Sequence, residues 1–276
     1  MTAALAVLAA AVGLALGSFA NVVIHRLPAD RSVVWPGSHC PSCRAPVRPL
    51  DNIPVVSWLW LRARCRACAA PISVRYPLVE LLCGLLAWLT WRRFVPSGVP
   101  DAGSALAWLG FTGFAVSLVI ASLIDVRHRL LPNETTVASI PVGIGLALAL
   151  QALDYQGWGR VSWHQAVLGA AVGGASFGVI AWTARRVTGR EALGFGDVKF
   201  VAALGAWVGL FPGLLFVVQL GSILGSIVGI GQWALAGRRS LLPFGPSLGA
   251  AALLWILYGD HIVRAVLPTW SRWLPG

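Results

Sequence analysis

The sequence predicts an all-α, polytopic membrane protein with about eight transmembrane helices and a small cytoplasmic zinc-binding module between helices 1 and 2. Three observations carry that prediction. Of 276 residues, 57% are hydrophobic and only 11% charged, where a soluble domain carries about 25% charged residues; mean hydropathy is +0.76. Apolar stretches of about 20 residues, long enough to span a bilayer, recur along the chain. One long polar segment interrupts them, roughly residues 25–76, and it holds four of the five cysteines.

The apolar stretches lie at roughly 3–24, 77–95, 104–124, 135–153, 164–184, 197–210, 213–236 and 246–267, the sixth being short and divided from the seventh near Pro212. The first lacks the basic start and the cleavage site of a signal peptide. It runs straight into Gly17-Ser18-Phe19-Ala20-Asn21 and is read as a span. Thirty-one glycines suit close helix approach in lipid; Gly221, Gly225 and Gly229 place small residues on one face of the seventh span. No internal repeat is evident.

Orientation follows from arginine and lysine placement. With the N-terminus outside, sixteen of these residues fall in inside loops, Arg190, Arg238 and Arg239 among them, and five, including Arg272, fall outside. Both termini are therefore expected outside, with residues 25–76 in the cytoplasm. The net charge of +11 is then a topology signal. The partner it implies is a lipid bilayer, and no nucleic acid.

At about fifty residues the polar segment cannot build a sizeable core and needs a staple. Cys40-Pro41-Ser42-Cys43 and Cys65-Arg66-Ala67-Cys68 are two C-x-x-C pairs separated by 21 residues, close to a zinc pattern of two such pairs. Cys40, Cys43, Cys65 and Cys68 would present four thiolates to one structural zinc, with nearby arginines aiding deprotonation. Two disulfides are the alternative, which a reducing cytoplasm works against. Cys83, within the second span, reads as a small buried apolar residue.

Ten acidic residues are few enough to take singly. Asp30, Asp51, Asp101, Asp154 and Glu191 read as solvated loop residues. Asp260 pairs locally with His261, and Glu134 starts the fourth span. Glu80, Asp125 and Asp197 sit at membrane depth, where an ionisable group is costly and function is the default reading. The bland alternative is an ion pair: Arg127 or Arg129 for Asp125, Lys199 for Asp197. Asp125 ends the third span and Asp197 begins the sixth, in Gly194-Phe195-Gly196-Asp197, so both lie at the cytoplasmic end of a span. Two carboxylates held together share a proton, and such a dyad can activate water with one member while the other protonates a scissile carbonyl. Helix direction puts the charge on Asp197, at a positive helix end, and the proton on Asp125, at a negative one.

These residues resemble the type IV prepilin peptidase family along nearly the whole chain. The blocks are Gly17-Ser18-Phe19, Asn21-Val22-Val23-Ile24 and Arg26-Leu27-Pro28; the cysteine pairs; Asp51-Asn52-Ile53-Pro54-Val55; and Arg75-Tyr76-Pro77-Leu78-Val79-Glu80. They continue with Ile124-Asp125, Leu131-Pro132-Asn133, Gly194-Phe195-Gly196-Asp197-Val198-Lys199 and Pro243-Phe244-Gly245-Pro246. The resemblance implies a GxGD aspartyl protease of the bacterial inner membrane with Asp125 and Asp197 catalytic. Its substrates would be prepilin or pseudopilin precursors, shorn of a basic leader after a glycine. The cysteine module implies a second activity, N-methylation of the new terminus with S-adenosylmethionine. Departures are Pro49-Leu50, where an aromatic pair is frequent, and Asn133, where aspartate is common. No Gly-x-Gly-x-x-Gly loop locates the methyl donor; Glu80 is a candidate for a cation, donor or leader, or equally a structural contact.

The expected division is residues 1–24, a first transmembrane helix; 25–76, the cytoplasmic zinc module; and 77–276, the protease core. Three other readings compete: a presenilin-like GxGD protease, which would lack the cysteine module; a proton- or metal-coupled transporter, which would show internal pseudo-symmetry; and a zinc-stapled scaffold, which would tolerate loss of both aspartates.

Overall fold

The computed structural model describes residues 2–189, 193–236, 243–266 and 268. Nine α-helices account for most of the described residues, and β-pairing among them is limited to two isolated bridges in the cysteine segment, His39 with Pro46 and Arg64 with Pro71. The chain divides into two compact units, Met1–Val99 and Pro100–Gly276.

In the first unit, α1 (Thr2–Arg26) and α3 (Arg75–Phe94) pack antiparallel, with the short α2 (Val56–Trp60) in the segment that joins them. Glycine sets the approach. A Cβ on Gly17 would fall 2.6 Å from the Glu80 Cα, and one on Gly13 would fall 2.5 Å from the Cys83 carbonyl oxygen. Further along, Asn21 Nδ2 donates to the Tyr76 carbonyl at 3.1 Å. Cys83 is fully buried at this seam, as expected.

The second unit holds α4 (Ala102–His128), α5 (Ser139–Ala152), α6 (Trp163–Thr188), α7 (Phe195–Val208), α8 (Leu215–Ala236) and α9 (Gly245–Val266). Asp101, expected to be simply solvated, caps α4: its carboxylate accepts the Ser104 N–H at 2.8 Å while the Ser104 hydroxyl accepts the Asp101 N–H at 2.9 Å. Such a capping box satisfies two donors that a helix start leaves open. Trp207 at the end of α7 ties three helices together. It stacks on Phe114 at 4.2 Å, meets Phe111 edge-on at 5.8 Å, and donates its indole N–H to Ser139 at 3.0 Å. α6 and α7 cross at Gly169 and Gly205, where a Cβ on either would come within 2.2 Å of the other's carbonyl oxygen. The packing role expected of Gly221 and Gly225 is seen against Leu248 of α9 and against Phe244 just ahead of it.

Five helical stretches are long and apolar enough to cross a membrane: Thr2–Ala29, Ala102–His128, Trp163–Thr188, Phe195–Leu235 and Gly245–Ala265. The protein is a multi-pass membrane protein. The predicted second and fourth spans are helical but fall outside this set, for different reasons. α3 carries Arg75, Glu80, Arg92 and Arg93. α5 has only 14 residues, because the chain before it runs in turns, with the Thr135 and Thr136 hydroxyls bonded to the Pro132 carbonyl at 3.1 and 2.8 Å. The predicted break between the sixth and seventh stretches is real. Phe211 is extended at φ −131° and ψ 136°, which separates α7 from α8 within the continuous Phe195–Leu235 stretch.

Asp51 is the acid misjudged from sequence. Its side chain is only 10% exposed and is gripped by the Arg66 guanidinium, Nη2 to Oδ1 at 2.6 Å and Nε to Oδ2 at 2.8 Å. Asp30 and Asp154 are exposed as expected, and Asp260 lies 3.9 Å from His261. Glu134 lies in the turns before α5 rather than in the helix. Arg190, Glu191, Arg238, Arg239 and Arg272 lie outside the described residues.

Candidate active site and metal centre

Asp125 lies in the last turn of α4 and Asp197 in the first turn of α7. Asp125 is buried and Asp197 half-buried, and the two carboxyls lie within electrostatic range of each other. Leu131 is the common neighbour. Its side chain sits 3.3 Å from where a Cβ on Gly196 would fall and 3.2 Å from the same point on Gly245. Gly245 in turn donates its N–H to Asp125 Oδ2 at 3.0 Å. The ion pairs that would make these aspartates merely structural are not formed among the described residues. Arg127 and Arg129 are exposed. Lys199 donates to Asn133 Oδ1 at 2.7 Å and lies 5.5 Å from the Phe195 ring. The bond to Asn133 ties the 131–133 segment to α7 close to Asp197.

The role assignment from helix direction rested on one helix end at Asp125, the C-terminal end of α4, and the structure places a second there. Gly245 is the first residue of α9, so Asp125 also meets the positive end of a second helix. Two helix ends act on it in opposite senses, and dipoles no longer separate the pair. Gly245 is itself the residue that sequence reasoning quoted without a role. Nothing local in Pro243-Phe244-Gly245-Pro246 reveals a donor to an acid 120 positions away.

Cys40, Cys43, Cys65 and Cys68 form one cluster, their Sγ atoms all within 4.8 Å of one another, and none is in a disulfide. A tetrahedral metal with bonds near 2.3 Å sets sulfur–sulfur edges of about 3.8 Å; Cys40 Sγ to Cys68 Sγ is 3.8 Å. The donor set therefore fits a metal ion held by four thiolates.

The cluster is built from two copies of one turn. Cys40 N–H donates to the Ala45 carbonyl at 2.9 Å and Cys65 N–H to Ala70 at 2.8 Å. Arg44 N–H returns to Cys40, and Ala69 N–H to Cys65, each at 2.9 Å. Arg44 and Ala69 share the left-handed conformation, φ 59° and 57°, and a bridged proline follows each turn. The repeat Cys-x-x-Cys-x-Ala-Pro is written in the sequence and was missed because only the cysteines were counted. The Cys40 thiol is pulled down to about 6, first by the backbone N–H of Cys43 and then by that of Ser42. These backbone donors, and not the surrounding arginines, drive its acidity. Arg66, inside the second turn, joins the cluster to the 49–52 turn through Asp51, whose carboxyl it holds below the usual carboxylate range.

Glu80 is buried on α3 and accepts the Val55 N–H at 2.7 Å. Val55 stands at φ 62° and ψ −51°, in a three-residue turn closed by Val56 N–H to the Pro54 carbonyl at 2.6 Å. A β-branched residue there is strained and persists only where its surroundings hold it. Glu80 is the hold.

Two family profiles match, in order along the chain. The bacterial peptidase A24 N-terminal domain covers residues 11–94, and the type IV leader peptidase family covers residues 112–230. A protein of Aeromonas hydrophila named prepilin leader peptidase/N-methyltransferase is 38% identical over 277 residues, 91% of this chain and 90% of its own length. One of the same name from Myxococcus xanthus is 43% identical over 82% of this chain and 62% of its own. The type 4 prepilin-like proteins leader peptide-processing enzyme of Escherichia coli is 39% identical over 92% and 95%. No solved structure matches. With such similarity along nearly its whole length, the chain belongs to the type IV leader peptidase family.

Proposed function

We infer that this protein is a membrane aspartyl endopeptidase that removes the basic leader of prepilins or pseudopilins and N-methylates the residue so exposed. The observation that carries the protease reading is the approach of Asp125 and Asp197, 72 positions apart in sequence, to within electrostatic range of each other, without a cation partner among the described residues. In the proposed mechanism the dyad shares one proton. The ionised member takes a proton from water as the water attacks the scissile carbonyl, and the other protonates the developing oxyanion. Collapse of the tetrahedral intermediate returns the proton to the leaving amine. Gly194 is exposed and leaves the backbone just ahead of Asp197 open for an extended substrate strand.

Eight crossings, α1 and α3 to α9, are the reading that best suits the chain. The Phe195–Leu235 stretch has 41 residues, and as one helix it would reach about 60 Å, twice the hydrocarbon core. The extended Phe211 supports two crossings there. The arginine bias supports the inner membrane, with the aspartates and the 25–76 module at the cytoplasmic face. The four thiolates suit zinc, in a closed structural site that leaves no position for a reacting water. S-adenosylmethionine, when bound, supplies an electrophilic methyl group to the new terminal amine. Intact-mass measurement of a co-expressed prepilin tests the whole reading: loss of the leader plus one added methyl supports it. Leader removal alone drops the second activity, and uncut precursor sinks the first.

Gly245→Ala is expected to cost about 10²-fold in kcat/KM for leader cleavage, the scale of a 1 Å misplacement in a reacting group. A methyl there would sit 2.6 Å from Asp125 Oδ2, so the carboxyl must move. Cleavage kinetics beside a melting curve decide it; a wild-type rate would free Asp125 of this restraint.

Glu80 is proposed to position the module and not to bind a cation. Glu80→Gln keeps an acceptor for the Val55 N–H and should leave methylation within about twofold of wild type. Glu80→Ala orphans a donor, at about 1–3 kcal/mol, and should lose methylation while cleavage continues. Loss of methylation in Glu80→Gln, with metal content and cleavage intact, would assign the charge to a cationic ligand instead.

A further inference from the structure

The segment between α1 and α3 exposes large apolar side chains that its own fold leaves uncovered: Val34 at 81%, Trp35 at 78%, Leu59 at 62%, Trp60 at 78% and Val56 at 54%. They fall in two places, and each is tied to the end of a helix. Arg26, the last residue of α1, donates from Nη1 to the Ser32 carbonyl at 3.1 Å and from Nη2 to the Gly37 carbonyl at 3.3 Å. The Ser32 hydroxyl accepts the Val34 and Trp35 N–H groups at 3.3 and 3.2 Å. The Val34–Trp35 loop is thus folded back against the end of α1. On the other side, the Val55–Glu80 bond at 2.7 Å fixes the start of α2 beside the second turn of α3.

Both helix ends belong to the same end of an antiparallel pair, so both apolar patches lie where these helices leave the bilayer. α2 is oriented to match. Its Ser57 turns inward to the Leu50 carbonyl at 2.8 Å, Trp58 donates to the Ile72 carbonyl at 3.1 Å, and Val56, Leu59 and Trp60 face out. Charge completes the pattern. Residues 25–76 hold eight arginines, no lysine and two acids, and one acid, Asp51, is already paired with Arg66. Arg62 and Arg64, directly after α2, are exposed.

We infer that these two patches are membrane-docking surfaces: Trp35, Val34, Val56, Leu59 and Trp60 insert at the headgroup–acyl boundary of the adjoining leaflet, and the neighbouring arginines contact anionic lipid phosphates. Tryptophan rings belong at that boundary, and a polybasic surface beside a span is drawn to anionic lipid. The docked module is held by apolar insertion and charge together, so its position depends on lipid composition and ionic strength. The inference rests on α1 and α3 both crossing the membrane.

The test uses the full-length protein in phosphatidylcholine–phosphatidylglycerol vesicles and in pure phosphatidylcholine vesicles, each doped with a phospholipid bearing a photoreactive diazirine in its acyl chain. Attachment sites are read by peptide mass spectrometry. Label is expected on the 34–35 and 56–60 peptides, stronger with phosphatidylglycerol. It should fall roughly fivefold per neutralised charge in Arg62→Gln/Arg64→Gln. The exposed Leu81, Leu82 and Leu85 of α3 report separately on whether α3 is embedded. Label there without label at 34–35 and 56–60 overturns the docking surfaces and leaves the crossing standing. Label at neither shows that the reading of α3 has failed as well. No lipid label at 34–35 and 56–60, with shielding of both from a water-soluble footprinting reagent in detergent, overturns the proposal in favour of a protein cover.

Discussion

Asp125→Asn and Asp197→Asn are each expected to reduce leader cleavage by about 10⁴-fold, the upper range for loss of a positioned acid or base, while the protein folds and inserts normally. The replacement is nearly isosteric. An asparagine at position 125 keeps a carbonyl oxygen to accept the Gly245 N–H, which the wild-type carboxylate meets at 3.0 Å. No salt bridge is broken at either position among the described residues, so the usual structural cost of removing a buried charge does not arise. What is lost is the shared proton. A dyad that needs one ionised and one protonated member gives a bell-shaped pH profile whose limbs belong to the pair. Residual activity in either variant should have lost that shape. The measurements are single-turnover cleavage of a purified prepilin across pH and a thermal melt of each variant in the same lipid. Full activity in either variant ends the protease assignment. Silent but unfolded protein would point to a structural role, which the retained acceptor for the Gly245 N–H argues against in Asp125→Asn.

The division between what was legible in the sequence and what was not follows the range of the interactions. The Cys-x-x-Cys pairs were legible because a knuckle is a local object whose ligands sit within four residues. The two aspartates were legible for another reason: so few charges are tolerated at membrane depth that each one stands out. Interactions between distant segments were not legible. Asp51 looks like any loop acid until Arg66 arrives 15 positions later and closes on it with two bonds. Gly245 looks like a helix start, yet its N–H is aimed at a carboxyl on another helix. Val55 reads as an ordinary strand-favouring residue, and only the Glu80 acceptor shows why it stands at φ 62°. Helices suffered in a similar way. α3 and α5 are apolar enough to be noticed, but the arginines of α3 and the threonine-bonded turns ahead of α5 shorten or interrupt the signal that length and hydropathy supply. The Phe195–Leu235 stretch shows the converse, since its apolar run continues across a backbone break that composition cannot see.

Removing the metal should be the most damaging change outside the aspartate pair. The described part of the cysteine segment holds no long helix or sheet, only short turns, two isolated bridges and α2. A structural zinc site contributes about 10–16 kcal/mol of folding free energy, far more than so small a module can draw from burying side chains. Cys65→Ser, or a strong chelator, is therefore expected to release close to one zinc per chain and to open residues 38–72 to proteolysis. Methylation should vanish with it, because the Asp51–Arg66 bond and the Val55 turn both depend on the second knuckle and α2 staying in place. Leader cleavage should fall much less, since both aspartates lie in the second compact unit. Metal analysis, limited proteolysis and intact mass of the processed prepilin read the three effects independently. Cobalt offers a direct check on the donor set, as four thiolates give intense sulfur-to-cobalt charge-transfer bands that Cys65→Ser would weaken. A variant that keeps its proteolytic resistance and methylates normally after losing its metal would show that the turns hold themselves together. A protein that binds no metal at all, yet keeps four free thiols, would remove zinc from the account and leave the sulfur cluster needing another purpose.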